Sequence, residues 1–291
     1  MPAHAASGRP KAGVSTMIKD IIVNLSVGKP RDIAGEFATT IASLFEAHLS
    51  AVAFAYEPPV GGTILEGVGA SIIDGWRADR KADAERAQRS FEGRARLAGI
   101  HADSQVLSEH VAEAAQIFST IARNYDLSVI AQAQPNDDLP ESLTIEAALF
   151  ESGRPVLVVP YIQDTGIKLD RVMVCWDGSR NAARAVGDAM PLLKRAGRIE
   201  VVTIEQKERR NELRGAQIAE HLARHKLKVE LKPIIAPDSD VANVVLSHAA
   251  DNDIDFIVMG GYGHTRIREF VLGGATRDML NTMTVPVLMS H

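Results

Sequence analysis

The stretch DFIVMGG, residues 255–261, places a short apolar run directly before two glycines. A related stretch, DLSVIAQ, occupies residues 126–132. Short and almost continuously apolar runs are typical of parallel strands that helices cover on both faces. The two stretches therefore predict equivalent buried strands in a repeated α/β fold.

The same alternation of strand-like runs and helical patterns continues on either side. Further apolar runs lie at 20–26, 49–56 and 154–160 in the first half, and at 171–179, 198–204, 228–236 and 285–290 in the second. Apolar residues at helical spacing predict helices over 31–47, 180–195, 210–225 and 239–251. The sequence thus predicts two doubly wound domains, each a parallel sheet with helices on both faces.

We assign the repeats to residues 18–160 and 169–291, after a flexible tail at 1–17. The first repeat is longer, and its excess at 57–75 is rich in proline and glycine, which predicts an extended loop. The last strand of each repeat is apolar, and an exposed apolar edge invites pairing. We therefore expect an internal pseudo-dimer, with a homodimer as an open alternative.

Composition excludes several classes of protein. The chain has 291 residues, 46% of them hydrophobic, a formal net charge of -5 and a pI near 6.0. This charge argues against a general nucleic-acid binder, and no apolar run is long enough to span a membrane. The single cysteine, Cys175, excludes an intramolecular disulfide and fits a reducing cytoplasm. In a predicted buried strand, it is expected to be an inert thiol.

The stretch GGYGHTRIREFVLGGA, residues 260–275, follows a predicted strand and precedes the last predicted helix. Glycines allow a close approach to the backbone, and free N–H groups at the start of a helix attract phosphate. The stretch is neither a Rossmann fingerprint nor a P-loop. Two interpretations remain open, a phosphate-binding loop and a glycine-rich surface turn. His264 could contact a phosphate or have only a surface role.

Asp177 ends the first predicted strand of the second half and is expected at the same edge of the sheet. A carboxylate there suits hydrogen bonding to ribose hydroxyls. The alternative is that it caps the helix that starts near Asn181, together with Ser179.

These residues resemble the signature of the universal stress protein family, G-x2-G-x9-G-[S/T]. The resemblance spans nearly all of 169–291 and, more weakly, 18–160. It implies five-stranded parallel sheets of the adenine nucleotide alpha hydrolase-like type, and ATP, with or without Mg2+, in a subset of members. By resemblance, Asp177 would meet the adenosine and the glycines would line the phosphates. The predicted nucleotide-binding set is Asp177, Gly260, Gly261, Gly263, His264, Gly273, Gly274 and Ala275.

The sequence departs from the signature in two places. Gly274 stands where the ATP-binding pattern has Ser or Thr, so a hydroxyl donor is lost and affinity is expected to fall about tenfold. In the first half, the positions that answer Asp177, Gly260 and Gly263 hold Ser26, Ala131 and Gln134. We interpret this half as a degenerate copy that leaves one nucleotide site per chain.

Other candidate sites are weaker. His221 and His225 are four residues apart on a predicted helix, where a solvated face is favoured over a zinc site. Asp278 and Glu269 have no evident partner for catalysis, so no dedicated enzyme is expected. The leading hypothesis is a cytoplasmic stress protein that binds ATP and acts on unidentified protein partners. A nucleotide-free scaffold is the alternative, and a slow ATPase or autokinase comes third.

Overall fold

A computed structural model describes residues 17–57, 70–134, 139–205, 212–236, 240–261 and 274–291. The helices and strands of the first half are β1 (Asp20–Asn24), α1 (Ile33–Phe45), β2 (His48–Tyr56), α2 (Ala70–Leu97), β3 (Ala102–Glu109), α3 (Val111–Ala122), β4 (Leu127–Ala131), α4 (Leu139–Glu151) and β5 (Val156–Val159). Those of the second half are β6 (Arg171–Cys175), α5 (Arg180–Leu193), β7 (Arg198–Glu205), α6 (Glu212–Arg224), β8 (Val229–Ile235), α7 (Val241–Asp251), β9 (Phe256–Gly260), α8 (Gly274–Thr282) and β10 (Val287–Ser290).

All these strands form one ten-stranded sheet in the order β3-β2-β1-β4-β5-β10-β9-β6-β7-β8. Within each half the strands are parallel. Each half is therefore a five-stranded doubly wound sheet, and the fold class predicted from the sequence is confirmed.

The two halves join through their closing strands. β5 and β10 pair antiparallel, with Val158 opposite Val287, Leu157 opposite Leu288 and Val156 opposite Met289. The predicted pairing of the closing strands is therefore confirmed within the chain. Because the join is antiparallel, the carboxyl ends of the strands of the first half and those of the second half lie at opposite sides of the sheet, along the direction of the strands.

The central strands are apolar on both faces because helices cover both. One buried cluster packs α1, α2, α5 and α6 against one face of the sheet, and a second packs α3, α4, α7 and α8 against the other. Both clusters contain residues of both halves, so the core is continuous across the β5–β10 join. A cation–π contact adds to this, with the Arg195 guanidinium 4.6 Å from the centre of the Phe45 ring.

The outer strands differ from the central ones. β3 and β8 alternate between exposed and half-buried residues, whereas β5 and β10 are buried throughout. An apolar edge favours association and a polar edge discourages it. The apolar edges thus meet in the middle of the sheet, and the polar ones lie outside.

Two sequence expectations need correction in the first half. The extended loop expected over 57–75 was too long, because α2 already begins at Ala70. Of the expected loop, residues 58–69 lie outside the described part of the chain. Strand β3 was not predicted, because its residues ADSQVLSE lack a continuous apolar run. The limits of the two domains stay a prediction, as does the tail at 1–17, of which only Met17 is described.

The join between the halves yields a test of stability. Leu157 is fully buried opposite Leu288, so Leu157→Ala should lower the free energy of unfolding by about 2–5 kcal/mol through lost burial and a cavity. Urea denaturation followed by circular dichroism measures the change. The matched control is Leu97→Ala, at a leucine that is 91% exposed, where the change should stay within about 0.5 kcal/mol. Equal changes in the free energy of unfolding would show that packing at the join contributes no more to stability than an exposed position does.

Candidate functional site

The strand order of the second half reverses at β6, which has β7 on one side and β9 on the other. In open parallel sheets, the carboxyl ends of two such strands border a crevice where ligands bind. The segments that leave the sheet here begin at Trp176 after β6 and at Gly261 after β9. The crevice between them is the candidate functional site.

Asp177 lies at this crevice with its side chain exposed. Its Oδ1 accepts a hydrogen bond of 2.8 Å from the backbone N–H of Ser179, and Gly178 between them has a φ of +77°. The Ser179 hydroxyl caps α5 by accepting from the N–H of Ala182 at 3.1 Å. Ser179 is therefore the helix cap, while Asp177 shapes the preceding turn and keeps its carboxylate in solvent.

Gly260 is required by a close approach of two backbones. A Cβ added to it would lie 2.6 Å from the backbone N of Ala182 and 2.7 Å from the carbonyl carbon of Asn181. Real Cβ atoms do not approach backbone so closely. Gly260 thus allows the start of α5, which follows the Asp177 turn, to pack directly against the end of β9.

Gly261 packs against the other half of the chain. A Cβ added to it would lie 2.7 Å from Cδ2 of Leu149, a buried residue of α4. Its N–H donates to the Ser290 carbonyl at 2.8 Å. The first half of the chain therefore supports the point where the glycine-rich segment leaves the sheet.

Asn181 was missed as a functional residue because its sequence signal is only that of a helix start. Its side chain is 3% exposed, and its Nδ2 donates to the carbonyl oxygen of Gly261 at 2.6 Å. The same Nδ2 lies 2.9 Å from Nδ1 of His291, whose ring meets that of Phe150 of α4 edge-on at 4.8 Å. Asn181 thus fixes the orientation of the first peptide after β9.

Of the other residues of the predicted set, some lie within the described part of the chain and some outside it. Gly263, His264 and Gly273 lie outside the described residues. Gly274 and Ala275 open α8, with Gly274 exposed and Ala275 half-buried. Among the described residues, a Cβ added to Gly274 would meet only Oδ2 of Asp278, at the ordinary contact distance of 3.6 Å. Position 274 therefore has room for a side chain.

Two more side chains border the Asp177 turn. Burial raises the pKa of the Cys175 thiol to about 12, and the Asp177 carboxylate contributes to the same rise. Cys175 is therefore protonated at neutral pH and poorly suited to nucleophilic attack, as the sequence led us to expect. The indole Nε1 of Trp176 is buried and has no hydrogen-bond partner among the described residues.

Comparisons with known proteins agree with this geometry. Residues 168–291 match the model of the universal stress protein family. A universal stress protein from Synechocystis is 38% identical over 63 residues, which are 22% of this chain and 20% of that protein. Residues 168–291 are therefore a universal stress protein domain. The match of the chain to this curated relative spans only about a fifth of that protein's length.

Solved structures extend the likeness to both halves of the chain, at the level of the fold. A universal stress protein from Archaeoglobus fulgidus has a TM-score of 0.71 at 16% identity, over 94% of this chain and 96% of that one. A functionally unknown protein from Pseudomonas aeruginosa has a TM-score of 0.61 at 16% identity, over 94% and 92% of the two chains.

The strand registers identify which residues of the first half answer the candidate site. Val129 pairs with Val23 as Val258 pairs with Val174. Ser26 and Asp177 each lie three residues after the valines Val23 and Val174, so they are equivalent. Ala131 and Gly260 each lie two residues after Val129 and Val258 and are equivalent in the same way. The equivalences inferred from the sequence for these two pairs are confirmed.

A different carboxylate closes this place in the first half. Asp32 caps α1, is 8% exposed, and its Oδ1 accepts from the N–H groups of Ser26 and Gly35, both at 3.1 Å. Its Oδ2 forms an ion pair with Arg94 of α2. Whereas the Asp177 carboxylate is open to solvent, both oxygens of Asp32 are held by contacts within the first half.

Within the described ranges, no helix is long and apolar enough to cross a membrane.

The two glycine environments predict opposite effects of the same substitution. Gly260→Ala should destabilise the protein by about 1–3 kcal/mol, because the backbone of α5 must move away from the new methyl group. Gly187→Ala is the control, since Gly187 lies exposed within α5 and a Cβ there meets nothing within 4 Å. It should stabilise by about 0.5–1 kcal/mol through helix propensity. Thermal denaturation of both variants measures the two signs, and a harmless Gly260→Ala would refute the close approach.

Proposed function

We propose that this protein acts as a universal stress protein and binds an adenine nucleotide, ATP with or without Mg2+, in its second half. The observation that carries the proposal is an exposed carboxylate, Asp177, at a strand-order reversal where the neighbouring strand β9 ends at Gly260, the first residue of the glycine-rich segment. The carboxylate would accept hydrogen bonds from ribose hydroxyls. Backbone N–H groups of the glycine-rich segment and the start of α8 would face the phosphates.

The difference between the halves supports one nucleotide per chain. In the first half Ser26 replaces Asp177, and Asp32 is already paired with Arg94. Ala131 and Gln134 stand in place of glycines. We propose that the protein acts in the cytoplasm as a component of a stress response, with nucleotide occupancy altering its interactions with protein partners.

The second candidate is a stress-response scaffold that binds no nucleotide. Its support is that Gly260 and Gly261 are already explained by close packing against Asn181, Ala182 and Leu149. These glycines would then be kept for the fold alone. Two experiments distinguish the two candidate functions. The first is acid extraction of the purified protein followed by chromatography for adenine nucleotides, and the second is calorimetric titration with ATP. The nucleotide proposal requires about one ATP per chain, and the scaffold requires none.

Intrinsic fluorescence offers a second measurement of the same event. The chain has two tryptophans, and Trp176 precedes Asp177 directly, whereas Trp76 lies on α2 and is 47% exposed. In the Trp76→Phe variant, ATP should change the remaining Trp176 emission. An unchanged spectrum together with an absence of heat in calorimetry would leave only the scaffold.

Replacing the carboxylate tests its role directly. Asp177→Ala should weaken ATP binding roughly 10- to 150-fold, because hydrogen bonds to charged groups contribute about 1.5–3 kcal/mol. Isothermal titration calorimetry measures the change. Asp177→Asn keeps an oxygen for the Ser179 N–H, and so separates loss of charge from loss of the turn. Ser26→Ala, at the equivalent position of the first half, is the matched control and should leave the affinity unchanged.

A single substitution at Gly274 would restore the Ser that the ATP-binding signature has at this position. Gly274→Ser should strengthen ATP binding about five- to thirtyfold, since a hydroxyl donor contributes roughly 1–2 kcal/mol and the position accommodates a Cβ. Gly274→Ala adds the Cβ without the hydroxyl and should give no such gain. Equal affinities of the two variants would mean that the phosphates do not reach the start of α8.

A further inference from the structure

A second cavity lies in the first half, at the carboxyl ends of β1 and β4, where the strand order of that half reverses. Its volume is about 250 Å³, and its lining includes Ser26, Lys29, Gln132, Gln134, Glu141 and Tyr161. Because the β5–β10 join is antiparallel, this cavity and the candidate nucleotide site lie at opposite edges of the sheet. The cavity is therefore a separate place, in the half that lacks the nucleotide residues.

Several of the polar side chains that line this cavity are buried. Gln132 is 2% exposed, and its carboxamide donates to the Leu280 carbonyl at 2.9 Å and accepts from the Tyr161 N–H at 3.3 Å. A carboxamide has two N–H donors and two acceptor lone pairs. Gln132 is thus held in one orientation and still has one donor and one acceptor beyond these two bonds. Buried polar groups held in this way are typical of small-molecule sites.

Glu141 places an acidic group where the second half has its glycine-rich segment. Counting back from the closing strands β5 and β10, Glu141 of α4 answers position 272 within the glycine-rich segment. Glu141 is 9% exposed. Glu141 acts on Tyr56 at the end of β2, because burial first and the Glu141 carboxylate second raise the pKa of that tyrosine. A carboxylate in this position repels phosphate.

The cavity also contains a cation. Lys29, in the loop after β1, lines it and is half-buried. Arg31 of the same loop also lines the cavity, but its guanidinium donates to Glu36 and to the carbonyls of Gln163 and Asp164. Lys29 and Glu141 each have interactions within the protein, so a ligand would exchange contacts with them. Among the described lining residues, the cavity thus offers two basic side chains, of which Arg31 is paired with Glu36, and the carboxylate of Glu141.

We propose that this cavity binds a small zwitterionic metabolite of the size of a free amino acid. The ammonium group of the ligand lies against Glu141, its carboxylate lies against Lys29, and Gln132 hydrogen-bonds the part between. Opposite charges in one cavity favour a ligand that carries both, and Glu141 excludes phosphorylated ligands. This inference is independent of nucleotide binding in the second half.

Thermal denaturation of the full chain with a defined set of probes tests the proposal. The probes are the free L-amino acids at millimolar concentration, butyrate and butylamine as ions of one sign, and inorganic phosphate. At least one amino acid should raise Tm by about 2 °C or more, as expected for a ligand at several times its Kd. Calorimetry with that amino acid should give one site per chain.

Variants of the two charged residues decide whether the binding is at this cavity. Glu141→Gln and Lys29→Met should each remove the Tm shift, whereas Asp177→Ala at the opposite edge should keep it. Lys29 is half-buried in a loop, so its variant decides the matter if Glu141→Gln fails to fold. The proposal is overturned if no amino acid shifts Tm, if the shift survives Lys29→Met, or if butyrate, butylamine or phosphate shifts Tm equally.

Discussion

The antiparallel pairing of β5 with β10 is the interaction on which the rest of this structure depends. Three residue pairs join two parallel sheets into one, and the apolar edges that would otherwise be exposed are buried against each other. The same pairing sets the carboxyl ends of the two halves at opposite edges. Each candidate site therefore lies beside the end of a helix from the other half, α4 at Gly261 and α8 at Gln132.

The contacts at the two edges are equivalent in place and different in chemistry. After β9, Gly261 packs against Leu149 of α4. After β4, the equivalent residue Gln132 hydrogen-bonds the Leu280 carbonyl of α8. The glycine allows Leu149 to approach its backbone closely, whereas the glutamine fills the equivalent space with an amide held by hydrogen bonds.

The sequence predicted the buried strands, the closing pair and the equivalence of Ser26 with Asp177, because continuous apolar runs report burial directly. It missed β3, since an edge strand buries only part of each face. It also missed most of α2, in which few large apolar residues are buried among many charged ones. The role of Asn181 and the contact of Gly261 with Leu149 join residues far apart in sequence, and no local pattern indicates them. Gly263, His264 and Gly273 remain predictions.

The presence of two similarly folded halves in one chain has a consequence for how their residues can vary. In a dimer of identical subunits, every substitution appears on both sides of the two-fold axis, so a residue that suits one site must be tolerated at the other. Here the residues that follow β4 and β9 are encoded separately. Gln132 and Gly261 can therefore differ, and so can Asp32 with its Arg94 partner and the solvent-exposed Asp177. Because one chain carries both halves, its internal interface need not be symmetric, and the residues at one site can change without changing those at the other.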